Sequence, residues 1–176
     1  MELEIRGYAS DGPTLDLDHR VFPYAGKFVM SRTGKSVATE DGHIVGAVAF
    51  SEDHADSDAV RLRYVTVRED RRGEGIGPRL LRFTAEQLLD RYERVLIAVN
   101  NPIAYQACYR AGFVFTGEKT GVAELLLSYD PSVERSSETY SAGFGLFEGR
   151  DLPEHQRAVL DRHDGSEPPQ CVDAPE

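Results

Sequence analysis

The chain is 176 residues long, enough for one domain with an appended tail and for a substantial core. Apolar residues make up 40% of it, and no apolar run approaches the roughly 18 residues needed to cross a bilayer, so a membrane span is not expected. The formal charge of −10 is spread along the chain, which disfavours nonspecific binding to nucleic acid or to an acidic membrane surface.

The first residues, Met1 to Ile5, lack the basic region and apolar stretch of a secretory signal, and a cytoplasmic location is the expectation. Cys108 and Cys171 form no Cys-x-x-Cys pair, and no His cluster has metal-ligand spacing. Neither a structural metal nor a disulfide framework is expected. Only Lys27, Lys35 and Lys119 are lysines, so the basic residues are nearly all arginine; with the acidic excess, this is the surface expected of a salt-tolerant protein.

Leu3, Ile5 and Gly7 alternate with charged residues as a first half-buried strand. Residues 10 to 25, rich in Asp, Gly and Pro, read as a loop with a short helix. Between Ser36 and Phe50 two β-prone runs flank Asp41-Gly42, which predicts a tight hairpin. Ala59 to Val67 is β-branched and nine residues long, a central strand. The glycine-rich turn Arg71-Arg72-Gly73-Glu74-Gly75-Ile76-Gly77 follows, and Pro78 then suits a first helical residue. Leu80, Leu81, Ala85, Leu88 and Leu89 give that helix an apolar stripe. Val95 to Val99 is a buried strand, Asn101-Pro102 opens a second helix to about Arg110, and Gly112 ends it. Phe113 to Phe115 and Val122 to Tyr129 are two further strands. Ser132 to Ser141 reads as polar, Asp151 to Glu154 starts a short helix ending near His163, and the last dozen residues read as disordered.

A glycine turn between a strand and a helix frees backbone N–H groups to face an anion, and the helix N-terminus adds partial positive charge. Arg71 and Arg72 supply charge of the same sign. The Lys and hydroxyl pair of a P-loop is absent, and Pro78 occupies the place of the third glycine of a dinucleotide fingerprint. What remains is Arg72-x-x-Gly75-x-Gly77, which resembles the Arg/Gln-x-x-Gly-x-Gly/Ala motif of the GNAT superfamily of acetyltransferases. Val67 to Gly77 is similar to that family's longer pattern, with Glu69 in place of Pro and Arg71 in place of an aromatic. Further on, Asn101-Pro102-Ile103-Ala104 and Gly112-Phe113 resemble the family's Asn-x-x-Ala and Gly-Phe elements.

The resemblance, over about residues 36 to 130, implies an α/β fold with a mixed, mostly antiparallel sheet flanked by helices. Residues 1–130 would form the acetyltransferase domain and residues 131–176 a partly helical extension covering the acceptor site or a homodimer interface. It implies an N-acetyltransferase that uses acetyl-CoA as co-substrate and delivers the acetyl group to a primary amine in a ternary complex. The main chain of Val65, Thr66 and Val67 would hold the pantetheine arm, Arg71 to Gly77 (Arg71, Arg72, Gly73, Glu74, Gly75, Ile76 and Gly77) the pyrophosphate, and Asn101 would complete the cofactor site. The family's general acid is a Tyr seven residues after the Asn. Here that position is Cys108, with Tyr109 and Tyr105 as neighbouring candidates. No carboxylate lies in residues 59–67, leaving Glu40, Asp41, His43, Asp53 or a water chain as base. The acidic surface slightly favours a cationic acceptor. The alternative is a noncatalytic acyl-CoA-binding module that keeps the turn without the acid and base.

Overall fold

The computed structural model describes residues 1–165 and 167–173. The architecture is α/β, with a mixed, mostly antiparallel seven-stranded sheet and α-helices. The chain divides into two compact units, one of Met1–Val95 with Asp173, the other of Leu96–Val172.

In the first unit, β1 (Glu2–Gly7), β2 (Gly34–Glu40), β3 (His43–Glu52) and β4 (Ala59–Val67) lie side by side in chain order, each antiparallel to the next. The predicted hairpin is present. Glu40 faces His43 across a two-residue turn in which Asp41 (φ 49°) and Gly42 (φ 77°) are both left-handed, the conformation that matches the twist of the strands. Between β3 and β4 the register runs Ala49↔Tyr64 and then Phe50↔Leu62, so Arg63 bulges out of the ladder. A bulge re-aims side chains and bends its strand.

Side chains alternate across the sheet, and each face is covered differently. One face meets α1 (Ile76–Leu88): the Ser36 and Thr84 hydroxyls lie 2.5 Å apart, and a Cβ added at Gly46 would sit 3.2 Å from Ile76. The buried residues of α1 include Ile76, Leu80, Thr84 and Leu88, a four-residue spacing that keeps one stripe on the sheet. The helix begins at Ile76 rather than at Pro78, because left-handed Gly75 turns the chain directly into it, which makes Pro78 its third residue. The other face carries Val37, Ala47 and Ala49, packed against Leu15, Leu17, Phe22, Ala25 and Phe28. The short helix expected in this covering segment is only the single 3-10 turn Ala25–Lys27.

Lys35 tethers that segment. Its side chain is fully buried, and Nζ donates to the carbonyls of Pro13 (3.0 Å), Met30 (2.8 Å) and Thr33 (2.8 Å) and lies 2.7 Å from Thr33 Oγ1. Burial holds the Lys35 pKa below the usual lysine value.

The second unit follows β5 (Arg94–Val99) with α2 (Pro102–Ala111), β6 (Phe113–Lys119), β7 (Leu125–Tyr129), α3 (Ser137–Gly145) and α4 (Glu154–Asp161), its strands in the order β5-β7-β6. The ends of α2 are written in the sequence: Asn101 Oδ1 accepts the Ala104 N–H at 2.9 Å, and Gly112 at φ 100° closes the helix. Leu125, rather than Val122, starts β7, because left-handed Ala123 keeps residues 120–124 in a turn. The polar stretch from Ser132 hides α3, capped by Ser136 Oγ on the Thr139 N–H. Tyr140, Phe144 and Phe147 pack around Tyr105 with ring centroids 5.7, 5.1 and 5.9 Å away. Of the chain end expected to be disordered, residues 166 and 174–176 lie outside the described residues; within the rest, the Val172 N–H donates to the Arg110 carbonyl at 2.8 Å.

Lys35→Met should lower stability by about 3 kcal/mol or more, since it strands three buried carbonyls. The wild type should also gain stability as pH rises towards 10.5, because the unfolded chain binds the lysine proton more tightly than the folded one. Denaturant midpoints measured across pH should reveal this slope in the wild type and its loss in the variant.

Candidate functional site

β4 runs straight into the glycine turn, and the path between them is pinned by main-chain bonds. Val65, Thr66 and Val67 pair with Val48, Ala47 and Gly46, and the Arg68 N–H then donates to Val45 O at 3.0 Å. The covering segment adds two ties: Thr66 Oγ1 donates to Pro23 O at 2.7 Å, and the Glu69 N–H to Val21 O at 2.9 Å. A 3-10 turn at Glu69–Arg71 leads to Gly73 (φ 84°) and Gly75 (φ 78°), both left-handed. Side chains other than glycine rarely adopt that conformation.

Among the described residues, no amide N–H from Gly73 to Gly77 donates to a protein acceptor, and no side chain caps α1. A Cβ at Gly73 would meet nothing within 4 Å, and one at Gly77 only Val67 at 3.6 Å, so the backbone is open to close approach. Unpaired amides at a helix N-terminus attract anions.

The charges around the cradle nearly cancel. Arg71 Nη2 lies 2.7 Å from both Glu40 and Glu74, Arg68 pairs with Asp70 at 2.8 Å, and Arg72 reaches Glu69 at 3.9 Å. The paired guanidinium holds the Glu74 carboxyl below its ordinary pKa, and the two carboxylates raise that of Arg71. The turn therefore attracts an anion through its amides and helix dipole, while Glu74 opposes it.

Upstream, at the β4 bulge, the first unit opens a cavity of about 770 Å³. Tyr8, Phe50, Tyr64 and Tyr92 give it aromatic walls. Arg32, Arg63 and Arg91 line it too, against one carboxylate, Glu52, and one imidazole, His54. Nothing in the sequence marks these residues as a group, since Arg63 reaches the cavity from a bulge that leaves no mark in an otherwise regular β-run.

The three general-acid candidates lie together in the second unit, all buried. Tyr105 Oη donates to Tyr140 O at 3.0 Å, and burial raises its pKa. Tyr109 Oη accepts the Phe115 N–H at 3.0 Å, and its ring packs 4.6 Å from that of Tyr140. Burial pushes the Cys108 thiol up to about 12. Asn101 uses its side-chain oxygen as the α2 cap. Of the base candidates, Glu40 is paired with Arg71, Asp53 with Arg61 at 2.7 Å, and Asp41 and His43 are exposed at the hairpin.

At pH 8 the native protein should expose one thiol, Cys171, to a disulfide reagent. The second should titrate only after denaturation, because Cys108 is both buried and protonated. Two fast thiols would mean that α2 opens readily.

The model of the acetyltransferase (GNAT) family matches residues 5–113. No curated protein matches. Among solved structures, smu.2055 from Streptococcus mutans is similar at 21% identity and a TM-score of 0.52, over 74% of this chain and 99% of that one. An N-acetyltransferase from Staphylococcus aureus shares 20% identity at a TM-score of 0.47, over 56% and 67%. A GNAT family acetyltransferase from Elizabethkingia anophelis with acetyl-CoA bound shares 19% at 0.46, over 56% and 76%. The chain spans 64% of nourseothricin acetyltransferase, which it matches at 23% identity and a TM-score of 0.46. With its family model covering well over half of its length, including the strand, the glycine turn and α1, the chain belongs to the acetyltransferase (GNAT) family.

Proposed function

We propose that the protein is an N-acetyltransferase that moves an acetyl group from acetyl-CoA to a primary amine by direct attack in a ternary complex. The observation that carries this reading is the row of unpartnered amides from Gly73 to Gly77 at the head of α1, in a chain of this family. These amides are suited to the diphosphate, with Arg72, exposed and only loosely paired, as the available guanidinium. Main-chain groups of Val65, Thr66 and Val67 are the proposed partners of the pantetheine arm. Arg63 lies about 17 Å back along the extended chain from Arg68. The cavity at the bulge is thus the proposed place of the acceptor.

When bound, acetyl-CoA supplies a thioester carbonyl for the amine nitrogen and a thiol leaving group. The acceptor ammonium gives up a proton, the C–N bond forms, the C–S bond breaks with its electron pair left on sulfur, and the nitrogen loses a second proton as it becomes an amide. Glu52 and His54 are the cavity-lining groups with a carboxylate oxygen or an imidazole nitrogen to offer the first proton. The thiolate must also be protonated. Cys108, with a pKa near 12, is a weaker acid than an ordinary thiol, and Tyr105 already spends its hydrogen on Tyr140. Tyr109 or water then supplies this proton. The burial of all three candidates also favours the second reading, a noncatalytic acyl-CoA-binding module that keeps the cradle alone.

Gly75→Glu should weaken acetyl-CoA binding at least tenfold in calorimetry, since it forces a side chain onto a left-handed residue and adds a carboxylate to the cradle. Glu74→Gln should instead tighten binding roughly two- to fivefold, an effect that fades with added salt. Unaltered affinity in both variants would sink the cradle.

Tyr109→Phe separates the proton donors. A kcat lowered by ten- to a hundredfold, with KM for acetyl-CoA unchanged, assigns the proton to Tyr109. An unchanged kcat assigns it to water, and thiol release from no amine at all selects the noncatalytic reading.

A further inference from the structure

The charge of the cavity at the β4 bulge is opposite to that of the chain. Three arginines and one carboxylate line it in a protein whose formal charge is −10. Arg63 is the central one. It is half-buried, and its guanidinium is fixed by neutral acceptors: Nε donates to Ser51 Oγ and Nη2 to the Glu52 carbonyl, both at 2.9 Å. The nearby carboxylate, Asp53, is bonded by Arg61 through both Nε and Nη2. Among the described residues Arg63 has no ion-pair partner. A partly desolvated cation held rigid without a counter-ion is costly to a fold, and a ligand anion offsets that cost.

The rest of the wall is also set in advance. Arg91 stacks over the Tyr8 ring, 3.5 Å from its centroid, and that ring packs edge-on to Phe50 at 5.8 Å. Phe50 lies tightly over Gly34, where any Cβ would collide with its ring, so the wall cannot slide towards β2. Arg32 stands exposed at the rim with no salt bridge among the described residues. Glu52 is lightly held, its Oε1 3.4 Å from the Tyr92 hydroxyl, and is the one lining group that suits an ammonium. The volume of about 770 Å³ is that of a small-molecule site.

We infer that this cavity selects an acceptor carrying both a primary amine and an anionic group, a carboxylate or a phosphate, with the anion on Arg63 and an apolar or aromatic body against Tyr8, Phe50 and Tyr64. The inference rests on the acetyl-transfer reading for what happens to the amine, but the binding selectivity stands apart from it. It reverses the slight preference for a cationic acceptor that the overall charge suggests: the acidic surface surrounds the pocket, and the pocket itself is basic.

The test is calorimetric titration with matched probes: L-phenylalanine against L-phenylalaninamide and phenethylamine for the carboxylate, and O-phosphoethanolamine against ethanolamine for the phosphate. At least one anionic probe should bind tenfold or more tightly than its neutral partner, and which pair shows the gap identifies the anion. Arg63→Gln should cut that preference at least fivefold. Arg32→Gln, at an exposed position that does not threaten the fold, should cut it about threefold at low salt and decides the matter if Arg63→Gln fails to fold. Equal binding of acid and amide, tighter binding of the neutral probes, a preference untouched by the substitutions, or no binding by any probe would each overturn the proposal. Titration of the same samples with acetyl-CoA reports on the cradle separately. Loss of that binding with anion selectivity intact counts against the cradle alone, and the reverse pattern counts against the pocket alone.

Discussion

The ammonium of Lys35 gathers the main-chain carbonyls of Pro13, Met30 and Thr33 beneath the sheet of the first unit. Residues 13 to 33 contain no α-helix and one short 3-10 turn, so they have few internal bonds with which to hold a shape. Lys35 supplies the missing acceptor pairing from a fully buried position. Two of the three carbonyls, those of Met30 and Thr33, belong to residues that line the cavity, and Arg32 stands between them. The same segment reaches β4 through Pro23 and the start of the glycine turn through Val21. One buried cation therefore holds the covering layer, one wall of the cavity and, indirectly, the approach to the cradle.

Along β4 two anion-attracting places are made by different means. The cradle relies on amides and the dipole of α1, and its arginines are largely matched by acids, so its attraction is short-ranged and depends on backbone shape. The cavity relies on guanidinium groups whose partners are neutral. Salt should act on the two unequally, since side-chain charges at an open rim are screened more readily than amides in close contact with a ligand.

Much of what depended on neighbours in the chain was legible in the sequence. Asp41-Gly42 forms the turn it announces, the bounds of β4 agree with the β-branched run from Ala59 to Val67, and Asn101 and Gly112 cap α2. The glycine spacing pointed to the family whose model matches residues 5–113. What escaped depended on residues far apart. Nothing near Lys35 signals that it will be buried, because its acceptors include residues 5 and 22 positions away. The polar run after Ser132 concealed α3, whose Tyr140 and Phe144 acquire meaning only against Tyr105. Tyr105 and Tyr109 invited a chemical role by their closeness to the family's Tyr position, yet their surroundings are aromatic rings and backbone carbonyl and amide groups. The cavity was hidden for the same reason: a bulge moves Arg63 by one position in register, and period-two patterning carries no trace of it.

Gly143 is a point where α3 comes close against α2, since any Cβ there would collide with the Tyr105 hydroxyl. Tyr105 belongs to a helix that ends 25 residues before Ser136, the cap of α3. On the ribosome, then, α2 emerges well before the rings that will enclose its tyrosine. Until Tyr140, Phe144 and Phe147 have been synthesised, Tyr105 lacks the rings that enclose it in the folded unit. The segment that follows the family's matched region thus acts as the late-arriving lid on the hydrophobic interior of its own unit, and translation through those codons completes it.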